Sequence, residues 1–261
     1  MTERAKYEPG VPCWVDAQTP DLAASTAFYE GLFGWTSEDQ GEEAGHYTLF
    51  KVRGLEVAGI GPLPAAGMPP VWTTYLASDD VDETAKAAEA AGGTVFMPPF
   101  DIFDSGRMTV IADPSGAAFG VWQAKEHIGA RLIQEPNTVL WNELNSRDMA
   151  SALPFYGAVF GITATEIPMG PDGQIYRELQ LNGESVGGAM EIGEDWPAEV
   201  GSHWMVYFAV EDTDASAARA TELGGNVNVP PTDIPTVGRF AVLSDPGGAH
   251  FSIMTPVPQP R

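Results

Sequence analysis

The chain has 261 residues, 44% of them hydrophobic and 10% aromatic, a composition that belongs to folded globular proteins and not to disordered ones. Thirty-six acidic against thirteen basic residues give a net charge of −23, which repels phosphate backbones and anionic lipid, so neither nucleic acid nor a membrane is expected as a partner. The length suits two domains, and a lone Cys13, no apolar signal-like segment in MTERAKYEPG and no apolar run long enough to cross a bilayer together point to a cytoplasmic protein.

Along the chain, Trp14 to Gln18 alternate as a strand, and Asp21 then caps a helix that runs to about Leu32 and stops at Gly34. Tyr47 to Val52 and Glu56 to Ile60 flank Gly54 as a hairpin. VWTTYLAS, from Val71, reads as a strand, and the DDVDETAKAAEAAGG that follows it reads as a capped helix closed by Gly92 and Gly93. Three more strands, TVFM, RMTVIAD and AAFGVWQ, are separated by Pro98-Pro99 and by a DPSG turn. Strand alternation lapses over residues 124–137, which is the expected linker.

The same programme then recurs. DLAASTAFYEGLFGW from Asp21 matches DMASALPFYGAVFGI from Asp148 at an offset of 127, whereas the WTTYLASDDVD and DPSG segments match their second copies at an offset of 132. The difference is loop insertion, expected around Met169 to Gln174 and Ile192 to Gly201, both rich in turn residues. The expected fold class is α+β: four βαβββ units in two tandem domains, 8–124 and 135–258, with curled mixed sheets packed as an internal pseudo-dimer.

With Asp21, Ser25, Phe28 and Tyr29 after the first strand, the DDVD helix start and the DPxG turn before the last strand, both halves resemble the vicinal oxygen chelate superfamily. That superfamily includes glyoxalase I, extradiol dioxygenases and the bleomycin and fosfomycin resistance proteins. The resemblance is nearest to tandem two-domain actinobacterial members labelled glyoxalase-like or hydroxylase, some of which accompany aromatic polyketide biosynthesis. It implies a divalent ion held by His and Glu side chains from facing strands. At the positions it assigns to ligands stand Trp14 and Trp141, Thr73 and Met205, and Gly120 and Ser252, none of them suited to a hard divalent ion. Glu56 or Glu178 lies near the remaining position, and one carboxylate does not retain a metal, so no metal and no other cofactor is expected.

Residues two apart in a strand share a face. Val15 and Ala17 suit the helix side, which leaves Trp14, Asp16 and Gln18, with Trp141, Glu143 and Asn145 in the repeat, on the cavity side. Asp16 and Glu143 are the candidate catalytic acids. They are read either as ligand contacts or general bases in an apolar cleft, or as structural partners of Arg107 and Arg239. The other candidate ligand-binding residues are Tyr75, Met108, Trp122, Met205, Tyr207, Phe240, His250 and Met254, an aromatic and thioether-rich wall. Val206, Phe208 and Val210 alternate onto the helix side, His46 and His127 fall in loops, and Cys13 reads as a buried, unreactive thiol.

The expected activity is metal-independent binding of a hydrophobic aromatic small molecule in a cleft lined by Trp14, Trp141, Trp122, Tyr75 and Tyr207. Its role would be drug sequestration or resistance, or relief of product inhibition in a partner enzyme of aromatic polyketide biosynthesis. The alternative is a lyase, isomerase or hydroxylase of the superfamily that uses the cleft acids or an atypical metal site.

Overall fold

The structure, a computed structural model, describes residues 3–65, 67–169 and 174–257. Four units follow one another, each a strand, a helix and three strands. The first is β1 (Pro12–Thr19), α1 (Leu22–Phe33), β2 (Thr36–Asp39), β3 (Thr48–Val52) and β4 (Leu55–Pro62). The second is β5 (Val71–Ala77), α2 (Val81–Ala90), β6 (Thr94–Ile102), β7 (Gly106–Ala112) and β8 (Ala118–Ala124). The third is β9 (Val139–Ser146), α3 (Met149–Phe160), β10 (Thr163–Met169), β11 (Gln174–Leu181) and β12 (Glu184–Glu191). The fourth is β13 (His203–Ala209), α4 (Thr213–Glu222), β14 (Asn226–Ile234), β15 (Gly238–Ser244) and β16 (His250–Pro256).

Each pair of units shares one eight-stranded mixed sheet, ordered β2-β3-β4-β1-β5-β8-β7-β6 in the first half and β10-β11-β12-β9-β13-β16-β15-β14 in the second. All four helices start on an aspartate, Asp21, Asp80, Asp148 or Asp212, whose carboxylate accepts a backbone N–H three residues on. The prolines expected to end the strand after α2 do not end it: β6 runs through Pro98-Pro99 with its register shifting between Met97 and Phe100. It is an edge strand, where a missing N–H costs no ladder bond. Of the turn-rich stretch expected to carry an insertion, 170–173 lie outside the described residues.

The hydrophobic cores do not follow the sheets. One joins Val15, Phe28, Tyr29 and Phe50 of the first unit to Val206, Phe208, Ala241 and Phe251 of the fourth. The other joins Leu76, Ile111 and Phe119 of the second unit to Leu144, Phe155, Tyr156 and Leu179 of the third. The helix-bearing faces of the two sheets are therefore packed on each other, as expected of an internal pseudo-dimer. The repeated sequence signals meet at this seam. Trp72 donates to the Tyr29 hydroxyl (2.8 Å), which donates to Asp245 in the other half (3.2 Å). Trp204 donates to Tyr156 (2.9 Å), which donates to Asp113 (3.0 Å). The same two aspartates hold their own turns, Asp113 accepting from Ser115 N and Ala117 N and Asp245 from Ala249 N, so each stapled turn is also an inter-domain contact.

Candidate functional site

Strand alternation sends Val15 and Ala17 into the core and Trp14 and Asp16 to the face that carries no helix. On this inner face of the first sheet, Trp14, Tyr75 and Trp122 cluster with Leu49 of β3, Ile102 of β6 and Met108 of β7. Only a curled sheet brings side chains from such distant strands together. The second sheet does the same with Met205, Tyr207 and Met254, packed against Leu140, Trp141, Ile234, Phe240 and Val242.

At the centre of each inner face a buried carboxyl is held by two phenols. Asp16 Oδ2 accepts from Tyr75 (3.0 Å) and Tyr47 (3.1 Å), and the Tyr47 hydroxyl accepts from Trp14 Nε1 (2.9 Å). Glu143 Oε1 accepts from Tyr207 (3.0 Å), Tyr176 and Asn145 lie beside the carboxyl, and the Tyr176 hydroxyl accepts from Trp141 Nε1 (2.7 Å). Burial pushes the Asp16 carboxyl up to about 7, although the bonds from Tyr75 and Tyr47 pull the other way. Burial raises Glu143 likewise, opposed by Tyr207, Tyr176 and Asn145. Neither acid meets an arginine: Arg107 is forked onto Asp82 and reaches Asp101, and Arg239 does the same with Asp214 and Asp233. The structural alternative for Asp16 and Glu143 is thus overturned, because each arginine instead ties a helix start to the strand hairpin beside it.

Tyr47 and Tyr176 were not singled out in the sequence. The signal was there: they repeat at an offset of 129, as do Gly59 and Gly188 beneath them. A Cβ at Gly59 would stand 2.0 Å from the Tyr47 hydroxyl oxygen, and one at Gly188 1.8 Å from that of Tyr176, so only glycine lets either phenol cross the neighbouring strand to its acid.

The two faces differ in what lies over them. Across the first runs the linker. His127 sits edge-on to Trp14 at a centroid distance of 4.5 Å and to Trp122 at 5.7 Å, and its carbonyl accepts from Trp122 Nε1 (2.8 Å). Ala130 N donates to Cys13 O (2.8 Å), Arg131 N donates to Glu56 O (2.7 Å), and the Tyr7 hydroxyl donates to Ala130 O (2.6 Å). Gly129, at φ 101°, lies so close to Cys13 that a Cβ would come within 2.2 Å of its carbonyl oxygen. Ala130 and Ile133 complete the cluster. Cys13 is buried beneath this strap, its thiol 3.5 Å from Tyr75 O. On the second face every member of the cluster belongs to a strand, and among the described residues no ring packs on Trp141. The expected single cleft of Trp14, Trp141, Trp122, Tyr75 and Tyr207 is therefore two separate faces, on opposite outer sides of the packed sheets, and the first is filled by linker. His250, expected on the cavity wall, is exposed at the start of β16 and stands at the rim.

The residues present do not fit a divalent ion. Both indoles donate to tyrosines, the Tyr75 ring occupies the space above Gly120, and the one carboxyl at the centre of each face is engaged by phenols. Glu56 lies against His127 (3.3 Å), and Glu178 accepts from Gln180 (2.6 Å). Among the described residues no three His, Cys, Asp or Glu side chains are gathered in a way that suits a metal.

Four βαβββ units, paired into two curled sheets whose helix-free faces carry the buried polar groups, define a protein of the paired βαβββ class. The chain belongs to the Glyoxalase/Bleomycin resistance protein/Dioxygenase superfamily, whose sequence profile matches residues 13–121 and 134–253. It is 49% identical over 99% of its length to the whole of "Putative glyoxylase CFP32" of Mycobacterium tuberculosis. It is 41% identical, over 95% of its own length and 94% of the relative's, to the anthracycline biosynthesis protein DnrV of Streptomyces peucetius. The 2,3-dioxygenase LapB of Pseudomonas sp. KL28 shares the fold, with a TM-score of 0.67 at 17% identity over 98% of this chain and 96% of that one. So does the Mn(II)-bound glyoxalase of Novosphingobium aromaticivorans, with a TM-score of 0.64 at 18% identity over 95% and 82% of the two chains. No helix among the described residues is long and apolar enough to cross a membrane.

Proposed function

We propose that the chain is a metal-independent binding protein for a hydrophobic aromatic small molecule, held on the inner face of the second sheet. The observation that carries this reading is the asymmetry of the two faces. Both retain an aromatic wall and a buried acid, but residues 127–133 lie across the first, where Trp14 is 5% exposed, while its counterpart Trp141 on the second is only partly buried. Flat rings and adaptable thioethers suit stacking of a planar ligand. The likeness to anthracycline biosynthesis proteins supports an auxiliary role in making an aromatic polyketide, where holding the product relieves inhibition of a partner enzyme; sequestration of a drug uses the same chemistry.

Titration with planar quinones under tryptophan fluorescence tests this. Quenching is expected in the wild type and in Trp14→Phe, and is expected to be largely lost in Trp141→Phe. No quenching across such a panel would overturn the reading.

The second reading is an enzyme of the superfamily, a lyase, isomerase or hydroxylase. One observation favours it: Glu143 is a carboxyl buried at the centre of the second face, where burial raises it above the ordinary range and so makes its ionised form a stronger base. Turnover of a bound quinone or dicarbonyl that is lost in Glu143→Gln while binding persists would establish it in place of simple binding.

A further inference from the structure

The two inner faces diverge most one row beyond the central acid. In the second sheet Asn145 of β9 lies directly across from His203 of β13, with His250 of β16 at the rim on the same face. The corresponding places in the first sheet hold Gln18, Val71 and Ala118. Both histidines are thus peculiar to the second face, where the Trp196 ring of the loop before β13 lies 6.5 Å from that of His203.

Asn145 is 2% exposed. Its side-chain carbonyl oxygen, Oδ1, is buried with no hydrogen-bond partner. Leaving such an acceptor unmet costs about 1–3 kcal/mol, which a donor arriving from outside the chain would recover. Across the strand, His203 Nδ1 stands 2.8 Å from Gly201 O. A carbonyl only accepts, so Nδ1 carries the proton and Nε2 presents a lone pair. Burial holds this imidazole below its ordinary pKa, with the Gly201 carbonyl opposing it and the nearby His250 adding to it. Cross-strand partners have Cβ atoms about 5 Å apart, close enough for both acceptors to serve one edge of a ring.

We infer that Asn145 Oδ1 and His203 Nε2 form a donor-recognition subsite that takes a hydroxyl group on the edge of the aromatic ligand. The inference rests on the binding role proposed for this face and adds to it a ligand class: planar aromatics bearing a free O–H, discriminated from those that present only ether or carbonyl oxygens, which would meet two acceptors and repel. An analogue lacking the donor is rejected because the buried groups are then left unpaired.

The test compares 2-(hydroxymethyl)anthraquinone, its methyl ether and 2-methylanthraquinone by fluorescence titration at about pH 8, where imidazole is neutral and an alcohol keeps its proton. The hydroxymethyl compound is expected to bind the wild type roughly tenfold more tightly than the other two. Asn145→Leu and His203→Phe are each expected to bring the three dissociation constants within about twofold of one another. Equal affinities in the wild type, or a hydroxyl preference that survives both substitutions, would overturn the subsite while the binding role stands. Absence of binding by all three compounds overturns both.

Discussion

Asp16→Asn isolates the titration of one buried carboxyl. In the folded chain this group sits at about 7, against an ordinary 3.8, because burial outweighs the bonds from Tyr75 and Tyr47. Between those values the folded protein keeps a proton that the unfolded chain has lost. The associated stability is fully present below the unfolded value, and it disappears as the pH rises through the folded one. Each pKa unit is worth about 1.4 kcal/mol, so the gap corresponds to a decline of up to about 4 kcal/mol from about pH 4 to about pH 8. Asparagine does not titrate, and its carbonyl oxygen, placed where Oδ2 now lies, accepts from both phenols. The unfolding free energy of the wild type minus that of the variant, from urea denaturation followed by tryptophan fluorescence at a series of pH values, is therefore expected to fall by a few kcal/mol across this window. A difference that stays flat, or one that rises with pH, would refute the reasoning, since it would mean that the two phenols fully offset the desolvation of the carboxylate.

Tyr156→Phe leaves Trp204 Nε1 and one oxygen of Asp113 without their partner at the seam, and thermal unfolding should report a loss of about 1–3 kcal/mol. Because each core draws on both halves, residues 1–134 and 135–261 produced separately should fail to give dispersed amide NMR spectra, and should recover them only when mixed or co-expressed. Gly129→Ala pushes a methyl group into the Cys13 carbonyl at a positive φ, so the strap should lift and Cys13, buried in the wild type, should react with a thiol reagent at least about tenfold faster.

The four-unit architecture was legible because its signals are local and repeated. Helix-capping aspartates, alternating tryptophan-bearing strands and the DPxG turn each carry their own spacing, and all reappear in the second half. What escaped was non-local or lacked alternation. β2 reads TSED and is exposed throughout, so no apolar period marks it, and β6 continues through two prolines because an edge strand tolerates them. At the site, alternation placed Trp14, Asp16, Trp141 and Glu143 on the correct face. It did not reveal that the two faces are separate, because which sheet faces pack together is settled by the cores and not by any one strand. Tyr47 and Tyr176 were hidden by a third offset, and their tie to the acids depends on a glycine in a neighbouring strand. The strap was read only as a lapse in pattern: His127 and Gly129 acquire a role solely from what they touch.

A homodimer of single domains is bound to have two identical concavities, since symmetry copies every change to both. Here the strap over the first face is the connecting peptide itself, and among the described residues no segment takes the equivalent place over the second. Fusing the halves thus did more than fix their pairing. It supplied an asymmetric part through which a duplicated scaffold can treat its two faces differently.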